Sequence, residues 1–183
     1  MTSAIGIALV VALAAVLLLA RAWARRAVVA ERASRPRELM DAELVYMEKR
    51  FRIHRPFPLV ARVDRAYRLP GGSLVLVELK TRQQDRAYLS DVIQLSAQRL
   101  AIELQTGAVV EPYAFVSVLG PNRRLRSHCV NLLEAPTLVV LHRRRESILL
   151  GQVEPAHSAS TSACRGCALR TSCDRFRAGD GRT

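Results

Sequence analysis

Two β-patterned runs organise this chain. Residues 59–67 and 73–80 are rich in strand-forming side chains, and Pro70, Gly71 and Gly72 between them are a strong turn signal. The pattern predicts an antiparallel hairpin centred on Gly71. Asp64 and Glu78 each stand seven residues from that centre, so pairing brings them roughly opposite one another. Residues 74–77 are continuously apolar, which predicts a strand buried on both faces whose polar end emerges at a site. The period of two then aims Glu78 and Lys80 at one side and Leu79 at the other.

Met40, Leu44, Met47 and Phe51 recur at intervals of four, three and four, which predicts an amphipathic helix packed on the sheet. After a polar connector at 81–85, a second helix is expected over 86–105. Its residues Leu89, Val92, Ile93, Ala97, Leu100 and Leu104 form an apolar side, and Asp91, Gln94 and Gln98 share another face. Residues 112–119 form a third β-rich run, and 138–142 with 147–150 predict a closing hairpin around Arg143, Arg144 and Arg145. The expected fold class is α/β, a mixed sheet flanked by helices. The 183 residues leave about one domain's worth of core.

Ahead of that domain, residues 4–20 are uncharged and almost wholly apolar, and as a helix they span roughly 26 Å, close to a hydrocarbon core. They predict one N-terminal transmembrane helix. No basic residue precedes them, whereas Arg21, Arg25, Arg26, Arg32, Arg35 and Arg37 follow, so the domain is expected in the cytoplasm. A cleaved signal peptide is the rival, with Ala22-Trp23-Ala24 imitating a cleavage site, but such a peptide carries its positive charge before the apolar run. The expected organisation is an anchor at 1–24, a basic linker or helical extension at 25–37, a catalytic domain at 38–155 and a cysteine-containing segment at 156–183. With 28 basic residues against 16 acidic ones, the formal charge is +12, which points to a polyanion such as nucleic acid or acidic lipid. Residues 121–128 form a basic loop whose Arg123, Arg124 and Arg126 are candidates for tracking a phosphate backbone, although charge runs are commonly just solvated.

Two carboxylates and an ammonium converging at the hairpin suit divalent-metal chemistry. The acids offer oxygen ligands to Mg²⁺ or Mn²⁺, and the lysine can position a water or stabilise charge on a phosphate. The plain alternative is a surface hairpin with solvated Glu78 and Lys80. The first-strand V-D, the V-E-L-K-T of the second strand and the helical D-V-I-Q resemble the PD-(D/E)XK nuclease superfamily, in particular its RecB-like branch with CRISPR-associated exonucleases. The resemblance covers roughly residues 39–173. It implies that Asp64 and Glu78 hold a metal, that Lys80 is the catalytic lysine, and that Gln94 is the glutamine of a Q-x-x-x-Y motif. Gln98 stands where that motif has tyrosine. The Leu79 carbonyl is a further candidate ligand, and Glu43 and His54 are upstream polar candidates.

Cys164, Cys167 and Cys173 form C-x-x-C-x5-C, with Cys129 apart. In a reducing compartment such spacing favours a metal over disulfides. A terminal cysteine run is also similar to the iron-sulfur branch of the same family, which implies a [4Fe-4S] cluster, with zinc as the alternative. That family's fourth cysteine, from the start of the nuclease domain, is missing here, which leaves Cys129 or a histidine to replace it. The resulting expectation is a membrane-tethered, metal-dependent deoxyribonuclease, exonuclease ahead of endonuclease. The alternatives are a catalytically silent nucleic-acid-binding or scaffold protein of the same fold, and a protein whose basic face meets acidic lipid.

Overall fold

A computed structural model of the chain describes residues 2–158, 161–165, 167, 168 and 170–173, with side chains from residue 14 onward except at 24, 27, 161 and 162. Five strands form one mixed sheet in sequential order: β1 (Glu43–Ile53), β2 (Leu59–Arg68), β3 (Leu74–Thr81), β4 (Val110–Leu119) and β5 (Leu125–Asn131). Neighbours are antiparallel except β3 and β4. A parallel pair needs a crossover, and α2 (Leu89–Thr106) supplies it. The remaining helices are α1 (Thr2–Ala33), α3 (Ala135–Leu149) and the short α4 (Thr161–Arg165). The chain divides into compact units at 1–139 and 140–183.

The β2–β3 hairpin forms where the turn residues place it. Gly72 adopts a positive φ of 90°, which glycine accepts at little steric cost, and its amide donates to the Leu69 carbonyl at 2.9 Å. Arg65 pairs with Val77 and Arg68 with Leu74, a register that carries Asp64 to the level of Glu78. Alternation along β3 sends Leu74 and Leu76 into a core beneath α2, built with Leu95, Ile102 and Val116. Val75 and Val77 enter a second core with Leu39, Tyr67 and Phe115 on the other face. Burying a valine or leucine side chain contributes roughly 1.5–3 kcal/mol, so this doubly covered strand is a firm support for the residues at its end.

Several expected elements differ. Residues 43–53 are a strand, not a helix. The 4-3-4 apolar spacing marks no single buried face, and β1 carries two irregularities, a register shift between Leu44 and Tyr46 and a left-handed Glu48 with φ 53°. Leu44 packs into one core and Phe51 into the other, while Met40 and Met47 are exposed. The expected hairpin at 138–150 is instead α3. Pro136 sits in its first turn, where the missing amide costs nothing, and the three arginines are good helix formers with no turn residue among them. In α2 the expected apolar side is met in part: Leu100 is buried and Ile93 packs on the core, but Leu89 and Leu104 are exposed, and Asp91 and Gln98 from the expected polar face are buried with Leu95 and Ile102. The basic stretch is a turn with Arg123 at φ 57°, continuing into β5.

Helix α1 runs through residues expected to link anchor and domain, and its last turn is docked. Among the described residues no helix is long and apolar enough to cross a membrane. The expected span at 4–20 falls largely on residues 4–13, whose side chains lie outside those described.

Candidate active site

Backbone pairing between β2 and β3 runs from Arg68 to Arg65, and the strands part beyond it. There the Leu79 amide donates to Asp64 Oδ2 at 2.9 Å. Asp64 is thus fixed by the strand that carries Glu78. Glu78 is 3% exposed, and its carboxylate is held by three side chains. Lys80 Nζ lies 2.7 Å from Oε1, Gln94 Nε2 donates to the same oxygen at 2.7 Å, and Gln98 Nε2 donates to Oε2 at 3.0 Å. Lys80 also donates to Gln94 Oε1 at 3.0 Å. The polar face of α2 therefore packs onto the polar end of β3, as alternation on the strand and the three-and-four spacing on the helix require.

The electrostatics are uneven. Burial pushes the Asp64 carboxyl above its ordinary range, and the nearby Glu78 and Glu48 add to that rise against the Leu79 amide and the Lys80 charge. Around this shell, Arg82 pairs with Asp91 at 2.7 Å, and Asp91 accepts from the Tyr88 amide at 2.8 Å, capping α2. Burial alone would raise the Asp91 carboxyl, but these two donors outweigh it and hold it low. Arg82 also stacks over the Tyr88 ring at 4.5 Å.

A divalent cation fits the donor set. Asp64, Glu78 and the backbone carbonyl of Leu79 are hard oxygen donors, and Asp64 lies close enough to Glu78 for the two charges to interact. Among the described residues no three His, Cys, Asp or Glu side chains gather closely enough to hold a metal by themselves, so carbonyl and water oxygens would complete such a site.

Two further neighbours complete the site, of which Gln98 is expected on the polar face of the helix and Glu48 is not expected. Gln98, which occupies the tyrosine position of the expected motif, also donates to the Arg62 carbonyl at 2.8 Å, tying α2 to β2. Glu48 lies across β2 from Asp64, between the Met47–Arg65 and Lys49–Val63 pairs, and pairs with Arg62. Nothing in its local sequence marks it, because only the cross-strand register brings it near. The upstream candidates are elsewhere: Glu43 pairs with Arg68 at the opposite end of β2, and His54 is exposed beyond the end of β1. Of the basic residues, Arg123 and Arg124 are exposed in the turn, while Arg126 is paired with Asp85 at 2.9 Å. Cys129 lies on β5 in the first unit, and Cys164, Cys167 and Cys173 lie in the second.

The family model described as the PD-(D/E)XK nuclease superfamily matches residues 7–174. A comparison with curated proteins gives no match. Among solved structures, SSO0001 is 18% identical with a TM-score of 0.45, over 73% of this chain and 58% of its own. A candidate exonuclease from Eubacterium rectale is 14% identical with a TM-score of 0.44, over 86% of this chain and 65% of its own. The chain thus spans less than two thirds of either.

Proposed function

Because the chain belongs to the PD-(D/E)XK nuclease superfamily, we propose that it hydrolyses phosphodiester bonds in DNA, acting on strand ends as an exonuclease. The observation that carries this reading is the Glu78–Lys80–Gln94 network at the end of a doubly buried strand, with Asp64 held beside it by the Leu79 amide. Asp64, Glu78 and the Leu79 carbonyl would hold Mg²⁺ or Mn²⁺. The bound cation supplies Lewis-acid stabilisation of the phosphate and lowers the pKa of a coordinated water.

The side chains do the rest. Lys80 places its ammonium where it can orient the attacking water and meet charge developing on the phosphate. Gln94 bonds both Lys80 and Glu78, keeping the two at a fixed spacing. Gln98 holds the second Glu78 oxygen, and the Arg82–Asp91 pair fixes the start of α2. Arg123, Arg124 and Arg126 offer charge for the nucleic-acid backbone, with Arg126 available on exchange from Asp85.

Two further parts complete the proposal. Residues 4–20 anchor the protein in a membrane, with the catalytic domain on the cytoplasmic side. Cys164, Cys167 and Cys173, with a fourth ligand, would hold a [4Fe-4S] cluster, or zinc in its place. A second reading, an inactive nucleic-acid-binding relative, draws on Gln98 at the tyrosine position and on the saturation of both Glu78 oxygens by donors.

Full-length protein in detergent, given linear and circular DNA with Mg²⁺ or Mn²⁺ and again with chelator, separates these readings. Metal-dependent shortening of linear DNA supports the exonuclease. Binding without cleavage under all metals supports the inactive relative. Carbonate extraction of the membrane fraction and elemental analysis of the same preparation test the anchor and the cysteines: release by carbonate rejects the first, and absence of both iron and zinc rejects the second.

A further inference from the structure

The carboxyl ends of β3 and β4 open onto a groove that shares Leu79 and Lys80 with the candidate active site. It encloses about 550 Å³, within the roughly 300–1,000 Å³ of small-ligand sites. Ends of parallel strands are where open α/β sheets place ligands. One wall is the last turns of α1, with Ala33 and Ser34, and the other is the sheet, with Leu79, Lys80, Leu119 and Leu125. The walls are largely apolar. Arg65 is the guanidinium that enters them.

The charges around Arg65 do not balance. Glu31 is matched by Arg35, whose Nη2 lies 2.9 Å from the carboxylate, and it also accepts from the Tyr67 hydroxyl at 2.5 Å. Arg65 acts on Glu31 through space but donates to the Ser34 hydroxyl at 2.7 Å and forms no ion pair among the described residues. One carboxylate thus faces two guanidiniums. The second positive charge lies at an apolar groove whose lining includes Lys80, a residue of the candidate active site. Such a groove suits a ligand with one anionic group and a flat, weakly polar body.

We propose that the groove is a nucleotide subsite, in which Arg65 takes the phosphate of a nucleoside monophosphate unit and the wall of Ala33, Leu79, Leu119 and Leu125 takes its sugar and base. The proposal rests on the nuclease reading for the source of that nucleotide; Arg65 and Leu79 line the groove from the face of the sheet opposite Asp64 and Glu78, and Lys80 lines it as well.

The test is binding of dAMP, adenosine and inorganic phosphate to the full chain in chelator, by calorimetry. The wild type binds dAMP more tightly than either fragment. Arg65→Gln weakens dAMP and phosphate by about tenfold or more, the scale of a lost charge-assisted contact. Ala33→Leu fills the apolar wall and weakens dAMP and adenosine but not phosphate. Unchanged dAMP affinity in both variants, or no dAMP binding by the wild type, overturns the subsite. A nuclease-resistant phosphorothioate oligonucleotide in Ca²⁺ identifies the source. Loss in the dAMP arm alone assigns the groove to released product, and loss in both arms to the bound strand. Ca²⁺ titration separates this proposal from the reading beneath it. A wild type that neither binds Ca²⁺ nor cleaves DNA, but binds dAMP through Arg65, leaves the subsite standing and removes the nuclease.

Discussion

Two buried glutamates in this fold meet cations in opposite ways. Glu31, 7% exposed, is bonded twice by Arg35 and once by Tyr67. Arg35 also donates to the carbonyls of Leu39, Met40 and Ala42 and stacks over the Tyr67 ring at 4.8 Å. Burial alone would raise the Glu31 carboxyl, yet the donors from Arg35 and Tyr67 bring it below its ordinary value. Burial and that same carboxylate push the Tyr67 phenol up to about 12. This cluster is closed on itself, and it fastens α1 to the sheet.

Glu78 is as deeply buried, but its cation, Lys80, is 28% exposed, and the acid beside it, Asp64, is bonded by a backbone amide and held above its usual range. A buried charge costs free energy unless paired, so natural structures pair it. Where a half-buried acid with a perturbed pKa stands beside a second acid and a lysine that reaches solvent, a functional site is a reasonable candidate. Similar residue types therefore build a clasp on one face of the sheet and a candidate site on the other.

The comparison breaks most visibly in paired substitutions. Glu78→Gln should cost at least about 100-fold in Ca²⁺ affinity and remove Mg²⁺-dependent cleavage, because a charged ligand is gone. The fold should survive, since Lys80 reaches solvent. Glu31→Gln should do the reverse, losing about 3 kcal/mol of stability, as when one partner of a buried pair is removed, with Ca²⁺ affinity kept in the protein that remains folded. Calorimetry and chemical denaturation read both. If folded Glu31→Gln protein no longer binds Ca²⁺, the two clusters are not separate in role.

A smaller effect sharpens the contrast through pH. The folded Asp64 value is raised, so its proton competes with a metal at higher pH than an ordinary aspartate would allow. Ca²⁺ affinity should fall as pH drops through a value above 3.8, and Asp64→Asn should remove that dependence along with most of the binding. Linkage has the matching sign: an acid with a raised folded pKa favours the fold below its unfolded pKa and loses that contribution as pH rises. Asp64→Asn should therefore be slightly more stable than wild type at neutral pH, whereas the lowered Glu31 stabilises at neutral pH and loses its contribution as pH falls. Thermal denaturation at pH 4 and pH 7 checks both signs.

The hairpin could be read from Pro70, Gly71, Gly72 and a period-two pattern, because turn chemistry and alternation are local. Asp64 and Glu78 followed from counting outward from the turn. β1 could not be read in the same way, since a left-handed Glu48 resets its alternation and no neighbouring residue announces that. Gln98 was visible on the face it shares with Asp91 and Gln94 and as a departure from a motif. Its role as a second amide on Glu78 depends on the polar face of α2 being buried as well as part of the apolar one. Glu31 and Arg35 stand four apart, a spacing usually solvated on a helix. Their burial is set by Tyr67, 32 residues beyond Arg35 in the chain, and long-range packing of that kind leaves no local mark.

Glu78 and Lys80, two residues apart on one face of β3, are proposed to divide metal holding from water activation. Substituting Lys80 by alanine tests that division most directly, with Ca²⁺ titration and Mg²⁺-dependent cleavage measured on one preparation. Loss of the ammonium frees Glu78 Oε1 from its 2.7 Å ion pair, so Ca²⁺ should bind as tightly as in the wild type or more so. Cleavage should fall by about 10²–10³-fold or more, as for removal of a transition-state donor. Full cleavage by Lys80→Ala would contradict the account and return Glu78 and Lys80 to a structural pair.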